Sequence, residues 1–429
     1  MPNTLNNFSI VFFILSITLL LFLKKKYAVF PLFLATCYTT SGVGFNIASI
    51  NFFLLRAIIL FAWVRIIIRK EFFSGPLNRI DKAILYYVIV SGIVYFVRVP
   101  NLDSVINRLG IAYDSFGLYF YFRSEINGEQ EIVDSIKFLS ILIIPLSVFM
   151  LLEHFTGRNL YSIIGGVPEF SMVRYGVVRS QGPFSHPIMA GSFGVSLLPL
   201  MFYLWHNPEK TKILFILSII SAHIIAFSAS SSGPALTYIF AIIGIFTFRF
   251  RKNIKYLPWA LIILLITLNF MMNAPVWFII DRIGEYVGST GHAWYRSAII
   301  DRAINHIDEW WLLGTDYTAH WGLTVLPFNP NNIDITNQYI RVGVEGGLIS
   351  LILFFVVVKR GFNEIIYLLF NSNNKNKYHL RLVWLISIAF LCHTITFISV
   401  SYLDQMVVLW YFVLACLSTL SDTNKQPRS

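Results

Sequence analysis

The sequence predicts an all-α fold: a polytopic integral membrane bundle of 12–13 transmembrane helices with a large extracytoplasmic loop that carries amphipathic helices. Three observations support this fold class. The 429-residue chain is 56% hydrophobic and only 13% charged, whereas soluble proteins contain about 25% charged residues. Its mean hydropathy is +0.67. Apolar runs long enough to cross a bilayer recur along the sequence, so residues 1–429 are expected to form a single membrane domain.

Twelve apolar runs are clear candidates for membrane spans. They lie at approximately 8–23, 28–46, 51–68, 83–98, 133–152, 187–205, 213–228, 233–248, 256–272, 337–358, 382–400 and 404–420. Residues 8–23 have no preceding basic region and no clear cleavage site, so they predict a first span and not a removed signal peptide. A thirteenth run, 106–123, is weaker because it carries Arg108 and Asp114.

Basic residues predict the orientation, because lysine and arginine are enriched in cytoplasmic loops. If 106–123 crosses the membrane, all lysine-rich segments fall on one side. If it does not cross, 69–82 and 249–255 fall on opposite sides, against this rule. We therefore predict thirteen spans with the N-terminus outside. The segments then placed inside are 24–26, 69–82, 123–137, 206–212, 249–255, 359–381 and the C-terminal tail.

On this topology every lysine lies inside or at the inner membrane edge, and the outer basic residues are all arginines. They are Arg98, Arg108, Arg158, Arg174, Arg179, Arg282, Arg296 and Arg302, with Arg341 just inside the next span. Either the outer arginines merely snorkel or pair with acids, or the outer face binds phosphate, whose oxygens match the planar guanidinium. The net charge of +11 is scattered between apolar runs, so we expect no nucleic-acid partner.

Two outer segments carry the candidate chemistry. In 153–186, Arg174 and Arg179 precede a Gly-Pro turn, and Pro187 then begins a span as a first helical residue. His186 either caps that helix or acts as a general base. The outward-facing helix N-terminus favours an anion in either case.

The second segment, 273–336, is the longest polar interruption between apolar runs. Four apolar residues in it recur at helical spacing: Ile300, Ile304, Ile307 and Trp311. They predict an amphipathic helix on the outer membrane surface, with the apolar stripe used for packing. Trp310 and its neighbour either anchor the loop at the interface or form a platform for sugar rings. Arg296 lies at the helix start, where an acid would be preferred, which favours a role in ligand binding.

The sequence shows no metal or cofactor motif, so neither a metal nor a cofactor is expected. The outer histidines His292, His306 and His320 lack close ligand spacing. There is no HExxH, paired-cysteine, P-loop or serine-hydrolase motif. The three cysteines lie in or beside apolar runs, so no disulfide framework is expected.

Four segments, in this order, resemble the O-antigen ligase and O-antigen polymerase superfamily of bacterial membrane glycosyltransferases. They are RSQGPFSHPIMAGSFG (179–194), SASSSGPAL (228–236), RSAIIDRAINHIDEWWLLGT (296–315) and NQYIRVGVEGGLISLILF (337–354), within a similarity that covers about residues 130–420. The resemblance implies metal-independent transfer of a glycan from a polyprenyl pyrophosphate carrier to an acceptor sugar. It implies a multi-pass protein of the bacterial cytoplasmic membrane that acts on the extracytoplasmic face in O-antigen, capsule or exopolysaccharide synthesis.

The resemblance assigns individual positions. Matching residues are Arg179, Gly182, His186, Pro187, Arg296, Asn337, Tyr339, Glu345 and Gly347. Two positions depart from the family pattern. The family histidine that precedes the asparagine, considered the general base in ligases, is Thr336 here, and the arginine of the Ser-Arg-Gly turn is Ser232. A ligase-type base and one phosphate contact are therefore missing.

These assignments lead to a hypothesis for the reaction. An acceptor hydroxyl attacks the anomeric carbon, and the developing charge on the pyrophosphate is stabilised by arginines. The candidate pyrophosphate ligands are Arg179, Arg296, Arg174 and Arg341; the candidate bases are His186, Asp334, His306 and His320; the candidate glycan contacts are Trp310, Asn337 and Tyr339. Asp334 is either a base or a helix cap. Arg341 and Glu345, four residues apart, are expected to pair.

The expected partners are the lipid-linked glycan donor, the glycan acceptor and the bilayer, with other polysaccharide-synthesis proteins as a further option. Two alternative functions stay open. One is a transporter or flippase of lipid-linked glycans, although such proteins usually show internal repeats and charged or broken helices near the midplane. The other is a non-catalytic component of a synthesis complex, which the missing histidine at position 336 keeps open.

Overall fold

A computed structural model describes residues 5–47, 50–99, 102–207, 211–286, 290–326, 329–371, 376–403 and 405–425. The structure is 76% helical. The strands in the described residues form three separate two-stranded antiparallel hairpins. The predicted all-α class is therefore confirmed, with small β-hairpins added at the helix connections.

The helices follow the apolar runs. In the described residues they are α1 (Asn7–Phe22), α2 (Val29–Tyr38), α3 (Leu54–Arg69), α4 (Arg79–Arg98), α5 (Leu102–Glu125), α6 (Glu129–Thr156), α7 (Pro187–His206), α8 (Lys212–Ser228), α9 (Ser232–Phe246), α10 (Leu257–Met271), α11 (Ile279–Tyr286), α12 (Thr290–Asn305), α13 (Ile307–Trp310), α14 (Gln338–Phe370), α15 (Lys377–Thr396) and α16 (Gln405–Lys425). The strands are β1 (Gly44–Ile47), β2 (Ile50–Phe53), β3 (Met172–Arg174), β4 (Val177–Arg179), β5 (Val325–Leu326) and β6 (Asn329–Ile333).

Seven helices in the described residues are long and apolar enough to cross a membrane. They are α4, α6, α7, α14, α15, α16 and the continuous helical stretch Ser232–Met271, in which a basic 3-10 segment joins α9 to α10. Apolar helices α1 and α8 have 16 and 17 residues. At about 1.5 Å per residue they fall just short of a hydrocarbon core about 30 Å thick. The chain is thus a multi-pass membrane protein.

Contacts between loops define two ends of the bundle. At one end, ion pairs join segments that the charge pattern placed together: Lys26 with Asp134 at 3.5 Å, His379 with Glu129 at 2.9 Å, and Arg123 with Asp422 at 2.5 Å. We call this the lysine-rich end. The opposite end carries segments 153–186 and 273–336 and is called the loop end.

Helix α5 runs from one end to the other, as the charge argument required for 106–123. Near the loop end, Arg108 of α5 pairs with Glu345 at 3.0 Å. Near the lysine-rich end, Arg123 pairs with Asp81 at 3.0 Å, and the Tyr119 hydroxyl donates to the same carboxylate at 2.5 Å. With 24 residues, α5 is about 36 Å long, sufficient to span a bilayer.

The run 28–46 was expected to be one helical span, and the structure corrects this. Helix α2 ends at Tyr38, and β1 pairs with β2 at the loop end, with Phe45 opposite Phe52. The Thr-Thr-Ser-Gly sequence at 39–42 favours this break, because threonine and glycine are poor helix formers. Gly42 also lies directly against the backbone of Gly166, where an added Cβ would come within 2.9 Å of Cα.

Helix α14 is broken at Gly347, and the long outer loop is attached at the break. Gly347 has φ +72°, a left-handed conformation that glycine adopts without strain. The backbone groups freed near the break bond to the loop: Leu348 N–H donates to the Trp311 carbonyl, and Thr315 N–H donates to that of Val344, both at 2.8 Å. The loop is therefore built into the bundle.

The two ends can be tested by cysteine labelling. Asn127→Cys, just after α5, and Tyr317→Cys, in the long loop, are introduced after the three buried native cysteines are replaced by alanine. Because α5 connects the two ends, a membrane-impermeant thiol reagent should label the two variants from opposite sides of sealed vesicles. Labelling of both from the same side would contradict this topology.

Candidate functional site

Arg174 and Arg179 lie on one face of the β3–β4 hairpin. Arg179 is paired with Met172 across the hairpin, and Arg174 follows Met172 by two residues. Residues two apart in a strand point to the same side, so the two guanidinium groups share a face. The hairpin turns at Tyr175 and Gly176, which have φ +49° and +76°, as a two-residue turn with twist suited to a hairpin requires.

A buried carboxylate holds the chain immediately after Arg179. Glu153, near the end of α6, accepts hydrogen bonds from the backbone N–H groups of Gln181 and Gly182, both at 2.9 Å. The Ser171 hydroxyl donates to the same side chain at 2.8 Å. Glu153 therefore ties both flanks of the β3–β4 hairpin to a membrane helix and fixes where its arginines lie.

Helix α12 brings a third arginine to the same place. His292 and Arg296 are four residues apart and share a helix face. His292 Nδ1 lies 3.3 Å from a guanidinium nitrogen of Arg174. Arg296 is only 9% exposed. We call Arg174, Arg179 and Arg296 the arginine group.

No carboxylate neutralises the arginine group within the described residues, where none of its members forms an ion pair. Arg179 is 3% exposed, and its Nε and one Nη atom lack hydrogen-bond partners. Burial and the neighbouring Arg174 charge lower the pKa of Arg179 and lower that of Arg296 to about 10. Guanidinium groups repel one another when buried together, so this arrangement favours an anionic ligand.

His186 contributes a hydrogen-bond donor at the site, because its other nitrogen is occupied. Its Nδ1 accepts from the Ile188 N–H at 3.1 Å and caps α7, which leaves the proton of the neutral ring on Nε2. Burial, reinforced by Arg179 and Arg174, lowers the pKa of His186 to about 4. The ring is therefore neutral at physiological pH and a poor proton acceptor. This geometry favours the capping role over that of a base.

A cavity of about 410 Å³ adjoins the arginine group. Arg174 and His292 form one wall, and Ser230, Ser231 and Ser232 form another. Helix α9 begins at Ser232, so its N–H groups and positive dipole end contribute at the cavity. The N-terminus of α7 lies beside the same arginines through His186. Helix dipoles and guanidinium groups thus act together on any anion bound there.

Asp334 lies in a second cavity, of about 400 Å³, with Arg341 and Glu345. Desolvation raises the pKa of Asp334, and the charge of Arg341 opposes this shift to a smaller extent. Asp334 does not cap α14, because the Asn337 side chain does so by accepting from the Ile340 N–H at 3.1 Å. The capping alternative for Asp334 is therefore wrong, and its carboxylate is available to the cavity.

Arg341 belongs to an ion-pair network and not to the arginine group. It pairs with Glu345 at 2.8 Å, as expected, and Glu345 also pairs with Arg108 at 3.0 Å. The short segment 399–401 lies between the two cavities. An added Cβ on Gly233 would lie 3.1 Å from both Ser399 Oγ and an Arg296 nitrogen, while the Ser401 hydroxyl donates to the Ile335 carbonyl at 2.7 Å.

The three predicted glycan contacts have structural roles. Trp310 is 3% exposed and donates from its indole to the Ala303 carbonyl at 2.7 Å, so it offers no open face to a sugar ring. Asn337 is buried as the α14 cap. The Tyr339 hydroxyl donates to the Thr394 carbonyl at 3.0 Å, and its ring stacks on Phe355.

The apolar stripe of the loop helix is exposed, and this corrects its expected packing role. Ile304, Ile307 and Trp311 are 41–50% exposed. The loop packs instead through Ile299 and Ala303, which are fully buried. An exposed stripe of this kind suits contact with the membrane interface. The 3.6-residue period predicted one helix through these residues, but the structure interrupts it at His306, between α12 and α13. The period also did not show which face is buried.

His306 and His320 lie together, away from the arginine group. Because these histidines are far apart in the chain, the sequence predicted no metal site. In the structure, His306 Nδ1 and His320 Nε2 converge on one oxygen of Glu309, at 2.9 and 2.8 Å. The fold closes the fourteen-residue separation because the loop doubles back through the 3-10 helix Ala319–Trp321.

Sequence reasoning missed Glu153 and His292. Glu153 is an acid that directly follows the predicted span 133–152. A carboxylate there is costly unless it is paired or hydrogen-bonded, and this cost could have indicated a structural role. The position of His292 four residues before Arg296 was a similar signal, since residues at this spacing share a helix face.

Comparison with protein-family models and with curated proteins found no match to this chain.

Replacing Glu153 should destabilise the hairpin support. Glu153→Gln places an amide nitrogen opposite backbone N–H donors, so we expect a loss of about 1–3 kcal/mol in the free energy of unfolding. Thermal unfolding of the detergent-solubilised protein measures this as a lower Tm. The matched control is Glu169→Gln, which breaks an exposed pair with Arg158 and should change Tm little. Equal Tm shifts would argue against a special role for Glu153.

Proposed function

We propose that the protein transfers a glycan from a polyprenyl pyrophosphate carrier to an acceptor sugar, as a polymerase or ligase of surface polysaccharide synthesis. The observation that supports this most is the arginine group: three arginines, one of which lines a cavity, with no carboxylate paired to them among the described residues. The resemblance of four segments to the O-antigen ligase and polymerase superfamily adds to it.

The chemistry of the arginine group fits a pyrophosphate. A guanidinium binds two phosphate oxygens through parallel hydrogen bonds and keeps its charge when partly buried. Glu153 and α12 hold the arginines in place before a ligand arrives, so little reorganisation is needed as negative charge develops. An uncharged His186 adds its Nε2–H as a donor without increasing the repulsion among the cations.

In the proposed reaction the donor pyrophosphate lies at the arginine group, and the acceptor hydroxyl approaches from the cavity of Asp334. The acceptor hydroxyl oxygen forms a bond to the anomeric carbon while the bond from that carbon to the pyrophosphate oxygen breaks. Asp334 takes the hydroxyl proton, and the polyprenyl pyrophosphate leaves as an anion held by the arginine group. Asp334 suits this role because its raised pKa makes its ionised form a better proton acceptor than an ordinary carboxylate.

The orientation follows from charge. Lysine-rich segments favour the cytoplasmic side, so we place the loop end on the extracytoplasmic side, and the family resemblance implies a bacterial cytoplasmic membrane. A lipid-linked donor would reach the arginine group from the outer leaflet. The exposed apolar residues Ile304 of α12 and Ile307 of α13 then lie at the interface where the lipid chain continues.

A transporter of lipid-linked glycans is the competing function, supported by the broken helix α14 and its charged residues Arg341 and Glu345. Product analysis separates the two. Vesicles containing the purified protein and a labelled lipid-linked donor should yield longer glycans if transfer occurs. Movement of an unchanged donor across the bilayer would support transport.

Arg179→Lys and Arg296→Lys should each lower the transfer rate. Lysine keeps the charge but loses the second hydrogen bond of the guanidinium, which we expect to cost roughly 10–100-fold. Cells carrying either variant should accumulate lipid-linked repeat units. Arg158→Lys, an exposed change in the same outer segment, is the control with unchanged activity. Full activity of both site variants at normal membrane levels would contradict the proposal.

Asp334→Asn should lower the transfer rate by roughly 10²–10⁴-fold, the usual contribution of a general base. In the wild type, activity should fall with decreasing pH through the raised pKa of Asp334, because the protonated carboxyl cannot accept the hydroxyl proton. No further inflection is expected near the ordinary pKa of histidine, about 6.5, because His186 is already neutral there. Asp301→Asn, in α12, serves as the control. An unchanged acid limb in Asp334→Asn would exclude Asp334 as the base.

A further inference from the structure

We infer that His306, Glu309 and His320 form a binding site for a divalent transition metal of the zinc type. This site lies on the loop end, apart from the arginine group, and the inference does not depend on the proposed transfer reaction. His306 directly precedes α13, Glu309 lies within it, and His320 lies in the 3-10 helix Ala319–Trp321. One ligand atom from each residue lies within 4.8 Å of the other two.

The three ligand atoms are held in place by aromatic neighbours. The His306 ring stacks on Trp321 with an interplanar angle of 5° and centroids 5.3 Å apart. The His320 ring stacks on Tyr317 at 15° and 5.0 Å. The Trp321 indole donates to the second oxygen of Glu309 at 3.0 Å. Such contacts orient metal ligands and leave the first carboxylate oxygen facing both imidazoles.

The donor set matches zinc. Two imidazole nitrogens and one carboxylate oxygen are a common three-residue ligand set, with metal–ligand distances of about 2.0–2.2 Å. Two ligands of one tetrahedral zinc are then roughly 3.3 Å apart, so the present separations of 2.8 and 2.9 Å need to open by only a few tenths of an ångström. The side chains are 28–35% exposed, which leaves room for water as a fourth ligand.

A metal here would fasten the long loop above the break in α14. Residues just after α13 bond to the broken helix through Trp311 and Thr315. On the other side of the site, Thr318 N–H donates to the Asn331 carbonyl, and the Thr318 hydroxyl accepts from the Ile333 N–H, both at 2.9 Å. The metal would thus join the α14 attachment to the β5–β6 hairpin and stabilise both.

Metal titration tests the site directly. The full-length protein, with any affinity tag removed, is treated with chelator in detergent and titrated with Co²⁺ and then Zn²⁺. We expect one Co²⁺ per chain with visible absorption typical of a tetrahedral N/O site, displacement by Zn²⁺, and a higher Tm with Zn²⁺, since a ligand of the native state stabilises it. The Tm readout requires neither enzymatic activity nor a variant.

Variants assign the binding to these residues. His306→Ala, His320→Ala and Glu309→Gln should each abolish the Co²⁺ absorption and the zinc-dependent rise in Tm. The control is His154→Ala, which removes a histidine from the last turn of α6. This variant should retain both the Co²⁺ absorption and the zinc-dependent rise in Tm. If Glu309 and the two histidines are joined only by hydrogen bonds, the wild type will not bind metal stoichiometrically. That result would overturn the inference. Binding that survives His306→Ala and His320→Ala would also overturn it.

Discussion

Charge pairing organises this protein, because a buried charge in a membrane bundle must be balanced or hydrogen-bonded. Three buried or partly buried arginines of the helices obey this rule: Arg56 pairs with Asp114, Arg65 with Glu71, and Arg123 with Asp81. The first pair joins α3 to α5, and the third joins α5 to α4. Against this background the arginine group at the loop end is the exception. In the part of the chain that the structure describes, its charges have no acidic partners, which is the condition under which a ligand supplies the missing anion.

The structural supports of that exception lie in the membrane helices. Glu153 accepts three hydrogen bonds from the two flanks of the β3–β4 hairpin and thereby holds the hairpin in place. Helix α12, which supplies Arg296, rests on a loop that is bonded to the break at Gly347. A change far from the arginines, at α6 or α14, therefore alters their positions. Rigid placement of like charges is costly for folding, and these helix attachments are what offset the cost.

Much of the fold could be predicted from the sequence, because apolar runs and lysine placement report directly on what the bilayer tolerates. The route of α5 followed from charge alone. The hairpin that replaces the second half of span 28–46 did not, since it depends on contacts with Gly166, far along the chain. Within the site, Arg174, Arg179 and Arg296 were all identified beforehand. Glu153 and His292 were not, because periodicity shows which residues share a face but not which faces meet.

The same limit explains why the sequence did not show how the histidines and tryptophans of the loop are arranged. Spacing in sequence separates His306 from His320, whereas the loop returns on itself and brings their rings to one carboxylate oxygen. Trp310 was a candidate for an interfacial anchor or for a sugar platform, but its indole packs in the loop's own small core with Trp321 and Val344. The loop thus has a small core of its own that holds its shape, and a metal at the histidine cluster would add a second constraint.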